Sequence, residues 1–237
     1  ILKTSGKVVA SEESNIEGIV GLEQFRHDLQ QAGFGLPYAF FNSDGTPSAG
    51  DDPEYEEAEN VPASSYNDAP SGIPRAFTSG NNLTGVGNIV NGSDYLAIRG
   101  SSVARSNAAK RWTYMNYTST TPVPRTWQSS SENIPESAWV IVLKRTFNNG
   151  QYVNQLVLDP EEGADSNLKF STNYSASGFF PSDTGKYPFN PAKPNDIYFI
   201  YGIDDDNIRM PFNRTDYFVS RPAAVNSMST FCAPNTG

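Results

Sequence analysis

Cysteine and histidine are nearly missing from this sequence: Cys232 and His27 are the only ones in 237 residues. A single thiol makes no disulfide within the chain and no cysteine-rich metal site. A single histidine leaves His27 as the sole conventional base for a triad, and no histidine cluster for zinc. Basic residues are scarce too. Lys and Arg number 17 against 26 Asp and Glu, for a net charge of −9. An acidic surface repels phosphate backbones and anionic headgroups, so no nucleic acid is expected as a partner. No stretch approaches the roughly 20 apolar residues of a membrane span, and no signal-peptide pattern is present. No Gly-x-Gly-x-x-Gly or P-loop phosphate cradle occurs. The chain opens at Ile1 inside a helical pattern, and the expectation is of a processed or trimmed product.

What the sequence does have is aromatic and turn-forming: 14 Phe, 12 Tyr, 3 Trp, 19 Gly and 17 Pro. That mixture suits short strands joined by turns. A helix is predicted over 7–32, where Ile16, Ile19, Leu22, Phe25, Leu29 and Ala32 recur at steps of three and four. Glu12, Glu13, Glu17, Glu23, Arg26 and Gln30 lie between them. Gly18 and Gly21 weaken this helix by up to about 1 kcal/mol each and admit another backbone closely. Gly33 and Pro37 suit its end. Residues 42–93 read as an irregular, loop-rich excursion with one short helix near 54–60. From residue 94 the pattern turns to β. Tyr95–Ile98 forms a strand, and Trp139–Arg145 and Tyr152–Leu158 form a hairpin around Asn148-Asn149-Gly150. Ile197–Ile203 is a strand expected to turn at 204–207 into a second hairpin through Met210, and Tyr217–Val219 adds another. Trp112, Tyr114, Tyr117 and Trp127 have no evident place. The expected class is α+β: one domain, 1–237, in which a long N-terminal amphipathic helix packs on a mainly antiparallel β-sheet head, 94–237, with long irregular loops.

Chemistry is sparse. His27 falls near the polar edge of the helix and reads as a surface or structural residue. The acidic run Asp51, Asp52, Glu54, Glu56, Glu57 and Glu59 reads as a solvated loop face. A glycosidase would need two such acids across a sugar-sized cleft. Trp112, Trp127 and Tyr114 suit the wall of such a cleft, but aromatics of this kind more often build a core. For a hard cation, Asp204, Asp205, Asp206 and Asn207 form one calcium candidate; Asp159, Glu161, Glu162 and Asp165 form a second. Neither has EF-hand spacing. Asn82, Asn91, Asn116, Asn173 and Asn213 stand in glycosylation sequons, as composition alone would produce.

The segment from Gly21 to Gly35, an amphipathic run closing on Arg26-His27-Asp28 and Ala32-Gly33-Phe34, resembles the end of the first helix of PilW-type minor pilins. Type II secretion pseudopilins of the GspJ kind are similar. The tyrosine-rich Ile197–Ile203, Asn207–Met210 and Asn213–Phe218 continue the likeness. The resemblance implies a structural subunit with no catalytic residue and no required cofactor, calcium being the candidate cation. It would prime or cap a type IV pilus or a pilus-like secretion filament. Its partners would be other pilins or pseudopilins, packed through Ile16, Gly18, Ile19, Gly21, Leu22, Phe25 and Leu29 of a spine helix, 7–33. It also implies an upstream apolar helix anchoring the subunit in the inner membrane with a periplasmic head, and a disulfide partner for Cys232 beyond the C-terminal end. A secreted or surface adhesin, a carbohydrate-binding module, is the competing expectation.

Overall fold

The apolar run Trp139–Leu143 lies at the centre of the larger of two antiparallel sheets, where both faces of a strand are covered. The structure, a computed structural model, describes residues 2–37, 57–68, 74–103, 107–148, 150–160, 168–179, 188–203 and 210–220. In chain order the elements are α1 (Leu2–Gln31), β1 (Phe77–Leu83), β2 (Ser93–Gly100), β3 (Trp112–Asn116), β4 (Trp139–Asn148), β5 (Gln151–Leu156), β6 (Asp159–Pro160), β7 (Leu168–Lys169), β8 (Ser171–Asn173), β9 (Ile197–Gly202) and β10 (Asn213–Phe218). The smaller sheet runs β1-β2-β10. The larger runs β3-β9-β4-β5, with β8 also pairing β4, and β6 and β7 form a separate short ladder.

Alternation along β4 divides its side chains between two cores. Ile141 and Leu143 join Leu156, Tyr201 and Phe212 on one face. Val140 and Val142 join Met115, Tyr198, Ile200 and Phe189 on the other. A strand buried on both faces needs a continuous apolar run, which is what Val-Ile-Val-Leu supplies. Each such side chain contributes about 1.5–3 kcal/mol by leaving water.

This arrangement corrects the expected α+β class. The body is mainly β, eight strands in two antiparallel sheets, and α1 does not run the length of either. The reason is packing: the larger sheet covers both faces with its own strands and loops. The smaller sheet presents Tyr95, Ala97 and Arg99 to residues 57–68 and Ile89. Its other face is met by the end of α1 alone, through Tyr217 and Gly100. Among the described residues, α1 meets the body through its last turns.

The β4–β5 hairpin forms as expected, in register from Leu143↔Leu156 to Asn148↔Gln151. The second hairpin was expected through residues 204–210, of which 204–209 lie outside those described. Both edges of β9 are taken, by β3 and by β4. Residues 57–60 are not helical, and a 3₁₀ turn follows at Ala63–Tyr66. Strand β1 lies within the stretch read as loop. Trp112, Tyr114 and the intervening Thr113 belong to β3, an edge strand of the larger sheet.

One buried ion network fastens residues 57–68 to the smaller sheet. Arg99 and Arg214 are direct cross-strand partners, and like charges opposed in a ladder repel. The Glu57 carboxylate lies between them, accepting from Arg99 Nε and, at 2.9 Å, from Arg214 Nη1. Asp68 lies 3.3 Å from Arg99, and Asp216 accepts from Arg214 Nε at 2.9 Å. Glu57 and Arg99 are wholly buried. Burial pulls the Arg214 pKa down, but Asp216 and Glu57 outweigh it and leave the guanidinium more firmly protonated than usual. Beside it, Tyr95 stacks between Tyr66 and Phe218. Burial, with Asp216 adding to it, holds its hydroxyl well above the ordinary range.

Candidate assembly surface

Asn15, Ile16 and the residues from Gly18 to Glu23 of α1 are all exposed. Ile16 is 60% exposed, Ile19 62%, Val20 52% and Leu22 69%, so this part of the helix stands clear of the body. At about 100° per residue, Ile16, Ile19 and Val20 share one side of the helix, and Phe25 and Asp28 face roughly the opposite way. Nothing lies within contact distance of Gly18 or Gly21.

The body holds α1 from Gln24 onward. The Phe25 ring meets Tyr217 of β10 edge-on, centroids 4.8 Å apart. Asp28 is fully buried, and its Oδ2 accepts the Tyr217 hydroxyl at 2.6 Å. Gln24 Nε2 donates to Asp28 Oδ1 at 2.9 Å, and His27 Nδ1 lies 3.1 Å from the same oxygen. A buried carboxylate is tolerated only when its oxygens are bonded in this way. The helix then stops against β2. Gly33, at φ +82°, donates to Arg99 O at 2.8 Å, and Ser101 N donates to Phe34 O at 2.7 Å. A Cβ on Gly100 would sit 2.7 Å from Gln31 O, so β2 approaches the helix end closely enough to require glycine there.

Of the residues expected to pack against neighbouring subunits, Ile16, Gly18, Ile19, Gly21, Leu22 and Leu29 are exposed, and Phe25 is engaged within the chain. His27 is half exposed beside Asp28. The calcium candidates Asp204, Asp205, Asp206 and Asn207 lie outside the described residues, as do Glu161, Glu162, Asp165 and Cys232. Asp159 is buried. Among the described residues no group of three or more His, Cys, Asp or Glu is placed to hold a metal, and no helix is long and apolar enough to cross a membrane. Of the acidic run, Glu57 is not a solvated face residue, because it neutralises Arg99 and Arg214. The Asp28–Tyr217 anchor was missed: the sequence marks a polar residue at a buried helical position only once the partner strand is known. Comparison with family models, with curated proteins and with solved structures found no match.

Proposed function

We propose that the chain is a structural subunit of the minor-pilin kind, which joins a type IV pilus or pilus-like secretion filament by packing α1 against the helices of other subunits. One observation supports the reading above the others. The helix is pinned at its base by Phe25, Asp28 and the Gly33–Ser101 seam, yet Ile16, Ile19, Val20 and Leu22 face solvent. An isolated helix gains little stability in water, and most helical stability in proteins comes from packing an apolar face. Two glycines in this stretch weaken it further. A neighbouring helix supplies the missing burial.

The test is substitution at the exposed positions in the source organism. Ile19→Asp with Leu22→Asp is expected to abolish incorporation into surface or secretion filaments. The melting temperature of the purified protein is expected to change little, since exposed substitutions usually stay within about 0.5 kcal/mol. Filaments that form normally and contain the double variant would refute the reading. Reactivity of single cysteines at Ile16 and Ile19, protected in filaments and free in the purified protein, gives a second measurement.

A further inference from the structure

A cleft of about 470 Å³ opens beside β3, lined by Asn107, Lys110, Arg111, Trp112, Trp127 and Glu132, with Ser131 at its edge. Its walls are fixed before any ligand arrives. Trp127 Nε1 donates to Trp112 O at 2.8 Å, and the two indoles meet edge to face with centroids 5.4 Å apart. Asn133 closes the 127–133 loop by accepting from Trp127 N at 2.7 Å and donating to Trp127 O at 3.1 Å. Arg111 is tethered to the same loop through Asn133 O at 2.6 Å, and to Asn107 Oδ1 at 2.9 Å. The Arg125 guanidinium lies over the Trp127 ring, 5.6 Å from its centroid, which holds that indole in place.

The chemistry of the lining selects among ligands. Two half-buried indoles offer flat apolar surface of the sort that takes the C–H face of a sugar ring. The rim carries polar groups with capacity left over. The side chains of Lys110 and Glu132 bond to no other described residue, and Arg111 has N–H groups beyond the two already used. Lys110 and Arg111 against Glu132 leave the cleft cationic on a chain of net charge −9, so a local positive site stands out from a repelling surface. We infer that this cleft binds a carboxylate-bearing sugar, with the ring on Trp112 and Trp127, the carboxylate on Lys110 and Arg111, and hydroxyls on Asn107 and Glu132.

The proposal uses no part of α1, so it stands or falls separately from filament assembly. Tryptophan fluorescence reports on the site directly, because two of the three tryptophans line it. Purified protein is titrated with oligogalacturonate and with sialyllactose, which separate a uronate source from a sialic-acid source, and with cellotetraose as the neutral comparison. A saturable change with at least one acidic sugar is expected, with cellotetraose weaker. Lys110→Gln, at an exposed position, is expected to weaken the acidic ligand about tenfold by removing a charge-assisted bond. Three results would overturn the proposal: no saturation by either acidic sugar, equal affinity for cellotetraose, or a Lys110→Gln protein that titrates like the original.

Discussion

Two arginines facing each other across a β ladder are tolerable only if something negative lies between them, and here Glu57 does so from a separate segment. Glu57→Gln keeps the shape and removes the charge. It leaves two guanidinium groups opposed with Asp68 and Asp216 as their remaining acids. Removing one member of a buried ion pair costs about 3–5 kcal/mol, so the denaturant midpoint is expected to fall by that equivalent. Glu132→Gln, at an exposed position outside the network, serves as the control. Equal midpoints for the two variants would show that the network adds nothing to stability. This network was not read from the sequence, which marked the Tyr95–Ile98 strand but not Arg99 beyond it. Arg99 shares an alternating strand face with Tyr95 and Ala97, and an inward-facing arginine demands a buried acid. Which acid was not legible. Glu57 stands in a run of carboxylates that looks solvated, 42 residues from Arg99 along the chain. Local pattern carries no information about that separation.

At the scale of elements, the sequence revealed strands whose burial is written into side chains and hid those held by backbone pairing. β4 was evident from its β-branched run, and its hairpin from Asn148-Asn149-Gly150. β1, Phe-Thr-Ser-Gly-Asn-Asn-Leu, has the composition of a loop. It is an edge strand, held to β2 by its ladder. The central position of β9 was hidden for a related reason: its neighbours β3 and β4 are remote in sequence. That position has a measurable consequence. Tyr198 and Tyr201 lie one in each core, and burial pushes both up to about 12, with Asp196 adding to the effect on Tyr198. Below about pH 10 the folded and unfolded chains both keep these protons, and stability does not change on their account. Between about pH 10 and 12 only the unfolded chain releases them, so folding weakens by roughly 1.4 kcal/mol per tyrosine for each pH unit. An alkaline titration that follows tyrosinate absorbance and circular dichroism together is expected to show a late fraction of tyrosines ionising with loss of structure. Ionisation of all 12 tyrosines near pH 10 with the β signal intact would rule this out.

For the molecule as a whole, the question is what lets an acidic body carry a helix with bare apolar residues without associating indiscriminately. The helix was legible from its spacing, but its relation to the body was not. Periodicity marks an apolar face without saying whether a sheet or another molecule covers it. In this chain the sheets cover themselves, and the free part of α1 faces solvent together with a net charge of −9. Two opposing forces then act between copies of the purified chain. Burial of Ile16, Ile19 and Leu22 against another helix is short-ranged and indifferent to salt. Repulsion between the acidic bodies reaches about 30 Å at 0.01 M salt and about 3 Å at 1 M. Self-association is therefore expected to be weak in dilute buffer and to strengthen as salt rises, the reverse of an interface made of ion pairs. Sedimentation velocity across that salt range checks it, with the Ile19→Asp, Leu22→Asp protein remaining monomeric throughout. If the double variant associated with salt as the original does, the attraction would lie on the body and not on the helix. If the original weakened with salt, the contact would be electrostatic, and the apolar stripe would not be what joins the subunits.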